Sequence, residues 1–288
     1  MAATVSTDFV FEPKVWKDHI RAYFDRKLVY GAIAMTDETL KGAPGETINF
    51  PYFDNIGAAE EPAETASLTV DNLSDDSFSS TVKEVGKAVG VKKKAFKVSA
   101  ARTERIIQEI NEQLGRVHAE KIDEDLRVEA ETPANHEAVT PTTYLGKNIR
   151  AILEMKVRGF GDKHTDALAL QINSLDLMEV LGDNTAGFLK LDANDPFFRI
   201  PGYQGRMLGM AVFEVDTVNG GTPGACMIHK MNPYGFIVKQ DMDLESDYDI
   251  LAREWVFTSN EWYAVKSFHA KVDALDKKSI KGTFGVAP

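Results

Sequence analysis

Hydrophobic and polar positions change rhythm several times along the chain, and each change marks an expected element. In the stretch from Phe11 to Met35, Val15, Trp16, Ile20, Tyr23, Phe24, Leu28 and Val29 recur at three- and four-residue spacing. This is the signature of an amphipathic helix, with Asp8 and Pro13 suited to its start and Gly31 to an interruption. The ten residues before it are too polar to fold alone and read as an arm. Glu46 to Phe53 then alternates as a strand, placing Ile48, Phe50, Tyr52 and Phe53 in one aromatic run. Ser67 to Val91 returns in extended form through "SLTV" and "STVKEV". Between Asp54 and Ser80 only Ile56, Leu68, Val70, Leu73 and Phe78 are large and apolar. Ordering a residue costs roughly 1 to 2 kcal/mol of backbone freedom, and so little apolar surface cannot offset it. The expected element is an extended hairpin with an acidic tip at Glu60, Glu61 and Glu64, whose missing contacts come from outside the subunit.

From Ala95 to about Glu129 the period becomes helical, with Ile106, Ile107, Ile110, Leu114, Val117, Ile122 and Leu126 drifting slowly round one side. The apolar spacing holds no strict heptad, so a single long beam is expected rather than a coiled coil, closed by Pro133 and Pro141. The second half alternates: a helix from Thr143 to Arg158 burying Tyr144, Leu145, Ile149, Ile152, Leu153 and Met155, a buried strand in "TDALALQIN", and a short helix capped by Ser174 and stopped by Gly182. Strands follow in "RMLGMAVFEVDTV", "ACMIHKM", "EWVFTSN" and "EWYAVKSFHAKVDAL". This order of elements predicts an α+β protein.

Composition narrows the class. At 288 residues with 43% hydrophobic content the chain can bury a sizeable core, and its sequence contains neither a membrane-length apolar run nor a signal-peptide pattern. The net charge of -11 argues against a surface that grips phosphates, because that affinity comes from Lys and Arg. The one basic cluster, Lys92, Lys93, Lys94 and Lys97, reads first as a solvated helix start or local ion-pair partner and second as a phosphate contact. Cys226, the single cysteine, excludes an intrachain disulfide and reads as a small core hydrophobe.

A search for chemistry finds no active site, cofactor motif or metal motif. The six histidines form no helical ligand pair, and the phosphate-loop, GxSxG, GxGxxG and CxxC patterns are absent. The closest approach to a metal cluster is Asp162, His164 and Asp166 in "GDKHTD", which reads more simply as a polar turn. The pairs Phe197 with Phe198 and Trp255 with Trp262 suit a core, or interface anchors if exposed together. "DANDPFFRIPGYQGR" suits either a packed loop or a loop touching a neighbour.

Taken in order, the arm and helix, "INFPYFDNIG", the strand pattern VKxxGKxVxV from Val82 to Val91, the long helix and "LALQINSLDLMEVLGD" resemble the major capsid proteins of tailed bacteriophages along nearly the whole chain. The resemblance implies the tailed-phage and herpesvirus capsid fold. Its parts would be an N-terminal arm and helix over 1–36, an extended loop with flanking strands over 37–92, a peripheral domain on a spine helix over 93–142, a mainly axial domain over 143–235, and C-terminal strands returning to the peripheral domain over 236–288. It further implies self-assembly, as hexamers and pentamers, into an icosahedral shell around phage double-stranded DNA, without catalysis, cofactor, metal, membrane or sequence-specific DNA contact. Phe9, Phe11 and Trp16 in the arm and helix, with Phe50, Tyr52, Phe53 and Phe78 at the loop base, become candidate inter-subunit contacts. A separate scaffolding protein, a portal and a decoration protein are the other partners implied, with assembly in the host bacterial cytoplasm. Some such proteins cross-link a loop lysine to a neighbour; Lys83 and Lys87 fall in the region but match no motif. Two alternatives stay open: the shell protein of a cellular, encapsulin-like nanocompartment, and a soluble metal-dependent enzyme using Asp162, His164 and Asp166.

Overall fold

In the computed structural model the described residues are 28–53, 70, 72–73, 75–98, 103–132, 137–139, 148–160, 167–182, 195–198, 200, 202–216, 218, 224–230, 232–268 and 279–283. The expected arm, most of the first helix, the hairpin tip and the 161–166 loop lie outside them.

Two sheets and one long helix organise the chain. The first sheet has the order β1 (Met35–Asp37), β10 (Tyr234–Asp249), β11 (Glu254–Ser267), β4 (Lys83–Lys92). The second has the order β5 (Glu137–Val139), β12 (Ser279–Thr283), β9 (Ala225–Lys230), β6 (Leu168–Ile172), β8 (Met210–Glu214), β7 (Tyr203–Met207). A separate ribbon pairs β2 (Thr47–Phe53) with β3 (Asp75–Thr81). The helices are α1 (Tyr30–Ile33), α2 (Lys93–Val98), α3 (Thr103–Glu131), α4 (Asn148–Phe160) and α5 (Ser174–Gly182).

The expected beam is α3, 29 residues long, or about 43 Å at 1.5 Å per residue. It starts at Thr103 rather than Ala95, with α2 as a separate six-residue helix before it. Ile110, Leu114, Ile122 and Leu126 of α3 are buried, continuing one i, i+4 row, whereas Val117 is 37% exposed and the buried slot between Leu114 and Ile122 belongs to His118. The N-terminal half of α3 packs Ile110 and Leu114 on Phe257, flanked by Val89, Val91, Leu244 and Trp255. Its C-terminal half enters a core shared by both sheets, with Tyr30, Ile33, Tyr234, Phe236 and Tyr263 from one side and Ala169, Phe213 and Met227 from the other. A third core lies under α4 and α5, where Ile152, Met155, Phe160, Leu177 and Val180 cover Leu170, Ile172, Val212 and Ile228. Cys226 is part of this core, as expected, and its thiol pKa is pushed up by burial first and by the nearby Asp176 carboxylate second.

Several expectations shift in detail. β6 is buried at every position, as its continuous apolar run predicts. The short helix α5 is capped one residue earlier than expected: Asn173 Oδ1 accepts the Leu175 N–H at 2.9 Å, while Ser174 Oγ bonds Asp216. "RMLGMAVFEV" is a hairpin, turned at Leu208 (φ 50°) and Gly209 (φ 80°), the left-handed pair a two-residue turn requires. Lys156 Nζ donates to the Leu208 carbonyl at 2.7 Å and holds that turn against α4; burial pulls its ammonium pKa down. On α4, Leu153 is exposed instead of buried. β11 is one continuous strand where two were expected, and its partner β10, the longest strand at 16 residues, had no counterpart in the expected elements. β12 pairs antiparallel with β9 and parallel with β5 in the second sheet.

Candidate assembly surfaces

The arrangement most like a reactive centre is a hydrogen-bonded chain between α3 and β11. His118 Nε2 lies 2.8 Å from Ser259 Oγ, and His118 Nδ1 lies 3.2 Å from Glu261 Oε2. Hydroxyl, imidazole and carboxylate in this order would suit nucleophilic catalysis if a substrate could reach the hydroxyl. None can: Ser259, His118 and Glu261 are 0%, 1% and 3% exposed, sandwiched between the helix and the sheet. Ser259 Oγ also lies 3.3 Å from the Lys87 carbonyl of β4. The chain therefore ties three elements together, satisfying buried polar groups that would otherwise cost about 1 to 3 kcal/mol each. Spacing along the sequence gives no hint of it, since the partners are 141 and 143 residues apart.

A half-buried carboxylate fastens the N-terminal segment. Asp123 of α3 accepts the N–H of Val29 at 2.7 Å through Oδ2 and that of Gly31 at 3.2 Å through Oδ1, at the start of α1. Burial raises its pKa to about 6 in spite of these bonds and one from Tyr30. Among the described residues no group of three or more His, Cys, Asp or Glu is placed to hold a metal ion. The described helices include none long and apolar enough to cross a membrane. Asp162, His164 and Asp166 lie outside the described residues.

Of the seven candidate contact residues, Phe50 and Phe78 are brought together and turned toward their own subunit. They face each other across the β2–β3 ribbon, and both meet Phe268 at the end of β11, with ring centroids 5.0 and 6.4 Å away. Phe268 points the edge of its ring at Gly235, where a Cβ would come within 2.6 Å of its Cζ; only glycine permits that approach. Ser80 Oγ donates to the Val265 carbonyl at 3.1 Å, and Lys239 Nζ to that of Gly45 at 2.5 Å. The ribbon's base is thus pinned by one aromatic cluster and two polar contacts, and its other face presents Thr47, Asn49, Pro51, Ser77, Ser79 and Thr81 to solvent. Tyr52 and Phe53 complete β2 opposite Asp76 and Asp75; their side chains, and all of Phe9, Phe11 and Trp16, lie outside the described residues.

Two residues of the lysine cluster, Lys92 and Lys93, follow the first of its two readings. Lys92 pairs with Glu254 at 2.7 Å, and Lys93 lies over the Tyr248 ring at 5.0 Å. Lys83 is likewise engaged, 2.6 Å from Asp125. The Phe197–Phe198 pair splits: Phe197 packs on Tyr203 and Phe213, while Phe198 is exposed. The loop around them is fastened to its own body by Asp195, which accepts from the Tyr203 hydroxyl at 2.8 Å and pairs with Arg206. The guanidinium first, with the Phe197 N–H and the Tyr203 hydroxyl adding to it, holds the Asp195 pKa down to about 2. Trp255 packs beside Phe257 and against Tyr248. Lys239 lies over the Trp262 ring at 5.5 Å.

Among the described residues, large apolar side chains in solvent occur as close pairs on α4 (Leu153 and Val157), on α5 (Leu175 and Met178) and at the turn between β10 and β11 (Ile250 and Leu251), and also at Met35, Val70, Leu73, Val117, Val128 and Phe198. On β10, Asp243, Glu245, Asp247 and Asp249 form an exposed acidic stripe.

Comparison with known proteins turns these surfaces into those of a recognisable fold. No family's sequence profile matches the chain. It is 24% identical over 273 residues, 95% of its own length and 93% of the other's, to the protein described as the major capsid protein of Staphylococcus phage phiMR11. It also superposes on the capsid of Ralstonia phage GP4 with a TM-score of 0.62, 13% identity and 92% coverage of both chains. The cyanophage Pam1 capsid gives 0.63, with 13% identity and 88% coverage of both. The mature capsid of bacteriophage PhiM1 gives 0.60, with 11% identity over 91% of this chain and 88% of that one. The chain has the mixed α+β fold of tailed-phage capsid proteins.

Proposed function

We propose that copies of this chain, a homologue of phage major capsid proteins, assemble into the icosahedral shell of a virion around double-stranded DNA. The observation that carries this reading is the match in both sequence and fold to capsid proteins over about nine tenths of the chain. The protein is structural and not an enzyme. Its buried Ser259–His118–Glu261 chain is a fastening, and Lys92 and Lys93 of its basic cluster are engaged with its own β10–β11 hairpin.

In this reading the sheet of β1, β10, β11 and β4 with α3 forms the peripheral domain. The sheet containing β5 to β9 and β12, with α4 and α5, forms the axial domain. The β2–β3 ribbon carries the extended loop: Phe50 and Phe78 hold its base to its own subunit, and Tyr52 and Phe53 at the end of β2, with the chain that follows them, lie on a neighbouring copy. Phe9, Phe11 and Trp16 make the corresponding contacts of the arm. Each contact is modest, but a tile touching several neighbours gains from their repetition. The net charge of -11 and the acidic stripe on β10 suit a wall that confines DNA without adhering to it. Hexamers and pentamers form in the host bacterial cytoplasm on a separate scaffolding protein, and a portal and a decoration protein complete the particle.

Electron microscopy of the purified chain, alone and with a candidate scaffolding protein, tests this reading. Closed shells or capsomers are expected, with nucleic acid rather than enzyme cargo in particles recovered from infected cells. A monodisperse monomer under every assembly condition would overturn it.

A further inference from the structure

The turn that joins the two longest strands is built in an unexpected way. Asp249 Oδ1 accepts the N–H groups of both Leu251 and Ala252, at 2.8 and 2.9 Å. Lys92 Nζ reaches the Ala252 carbonyl at 3.2 Å, the Lys93 N–H donates to the Arg253 carbonyl at 3.0 Å, and Arg253 sits at φ 56°. Behind the turn, Tyr248 packs against Trp255 with centroids 5.2 Å apart and the rings tilted by 53°. A turn fixed by this many contacts could carry polar residues at its apex at no cost. Instead it holds Ile250 and Leu251 in solvent, 77% and 95% exposed. Two aliphatic side chains presented on a rigid tip are arranged for contact, because exposure gains them nothing in the free subunit.

The same end of the molecule carries a receptive surface. The N-terminal half of α3, which packs beside Trp255 and Val91, forms a shallow groove of about 350 Å³ lined by Arg105, Ile106, Glu109, Ile110 and Gln113. Its floor is aliphatic, and its rim has one cation and one anion a helical turn apart, with Glu109 accepting from Gln113 at 2.8 Å. The tip has the matching pattern: an aliphatic pair flanked by Asp249 on one side and Arg253 on the other.

Resting on the shell reading, we propose that the Ile250–Leu251 tip of one copy seats in the Arg105–Gln113 groove of a neighbouring copy, with Asp249 facing Arg105 and Arg253 facing Glu109. Because tip and groove lie at the same end of each copy, the contact joins adjacent peripheral domains: two copies that exchange tips form a two-fold pair, and copies that pass the tip on in one direction form a ring where the rotation closes. Two side chains bury far less than the roughly 1,200 Å² of a stable complex. The contact therefore does not associate free subunits and counts only where other contacts already bring the copies together.

Cysteine cross-linking in assembled shells tests the pairing, with Cys226 fully buried and out of reach. Leu251→Cys/Gln113→Cys shells, mildly oxidised and then dissociated without reductant, are expected to yield disulfide-linked multimers, and neither single variant is. Shells that form normally but give no linked chains would overturn the pairing and leave the shell reading standing, as would linkage in Leu251→Cys alone, which would mean that tips meet tips. Absence of shells from the unaltered chain would instead remove the reading on which the pairing rests. As a second measurement, Glu109→Arg and Arg253→Glu should each lower shell yield at least threefold and the double variant should restore it to within twofold; no recovery in the double variant would also overturn the pairing.

Discussion

Asp123 shows how a single residue can tune the subunit. Its pKa is raised by burial from 3.8 to about 6, in spite of the N–H bonds it accepts at the start of α1. A folded-state pKa above the unfolded value means that the folded chain binds the extra proton, so the contribution of Asp123 to stability is fully present below about pH 4 and is lost as pH rises through 6. The shift corresponds to roughly 3 kcal/mol at most, at 1.36 kcal/mol per unit. Asp123→Asn is expected to flatten the slope of subunit melting temperature between pH 4 and pH 6; an unchanged slope would place the titration elsewhere. His118 makes the opposite case, a polar residue whose partners stabilise it. His118→Leu would leave Glu261 buried at 3% exposure with one partner lost, a change that costs about 3 to 5 kcal/mol for a buried pair. In urea titrations, His118→Leu/Glu261→Leu is expected to be more stable than His118→Leu alone. The helical row ran through His118 in plain sight, since Leu114, His118, Ile122 and Leu126 are spaced by four. Periodicity counted from apolar residues alone chose Val117, and nothing in the sequence could place Ser259 and Glu261 against the ring.

Among the elements, those whose burial is uniform were the legible ones. β6 and the core half of α3 declare themselves because a single surrounding decides every position. β10 did not, because its environment changes along its length: five buried positions at the start give way to an acidic, solvent-facing half, and acidic residues have low strand propensity in isolation. What holds that half extended is its register with β11, from Asp243 opposite Asn260 to Asp249 opposite Glu254, a long-range pairing that local sequence does not encode. The β2–β3 ribbon was legible as a hairpin, but its attachment was not, since Phe268 lies 190 residues beyond Phe78. That attachment predicts a local effect. Phe268→Ala should speed amide exchange in β2 and β3 by at least tenfold while leaving β10 and β11 protected, because the ribbon borders the first sheet chiefly through this cluster and two polar bonds. Equal loss of protection in all four strands would mean that the ring belongs to the common core.

For the molecule as a whole, subunit folding and assembly ought to be separable. The three apolar cores close without help from the ribbon: none of their buried members lies in β2 or β3. Their reach across both sheets through α3 makes the body one cooperative unit, whereas the ribbon is an appendage bound at its base. Replacing residues 56–72 by a short Gly-Ser linker keeps the whole of β2 and β3, the Phe50–Phe78–Phe268 cluster and the Val82 N–H bond to the Glu46 carbonyl. Lengthening or shortening a surface connection changes closure entropy by only about 0.6 kcal/mol per twofold change in length. The variant should therefore match the unaltered subunit in far-UV circular dichroism and melt within a few degrees of it. Shell formation should fail or fall by more than tenfold, because a tile loses one contact at every place in the lattice and multivalent association compounds that loss. Unfolding of the variant would mean that residues 56–72 stabilise their own subunit. Normal shells from a folded variant would mean that the arm and the peripheral and axial faces suffice to close the lattice.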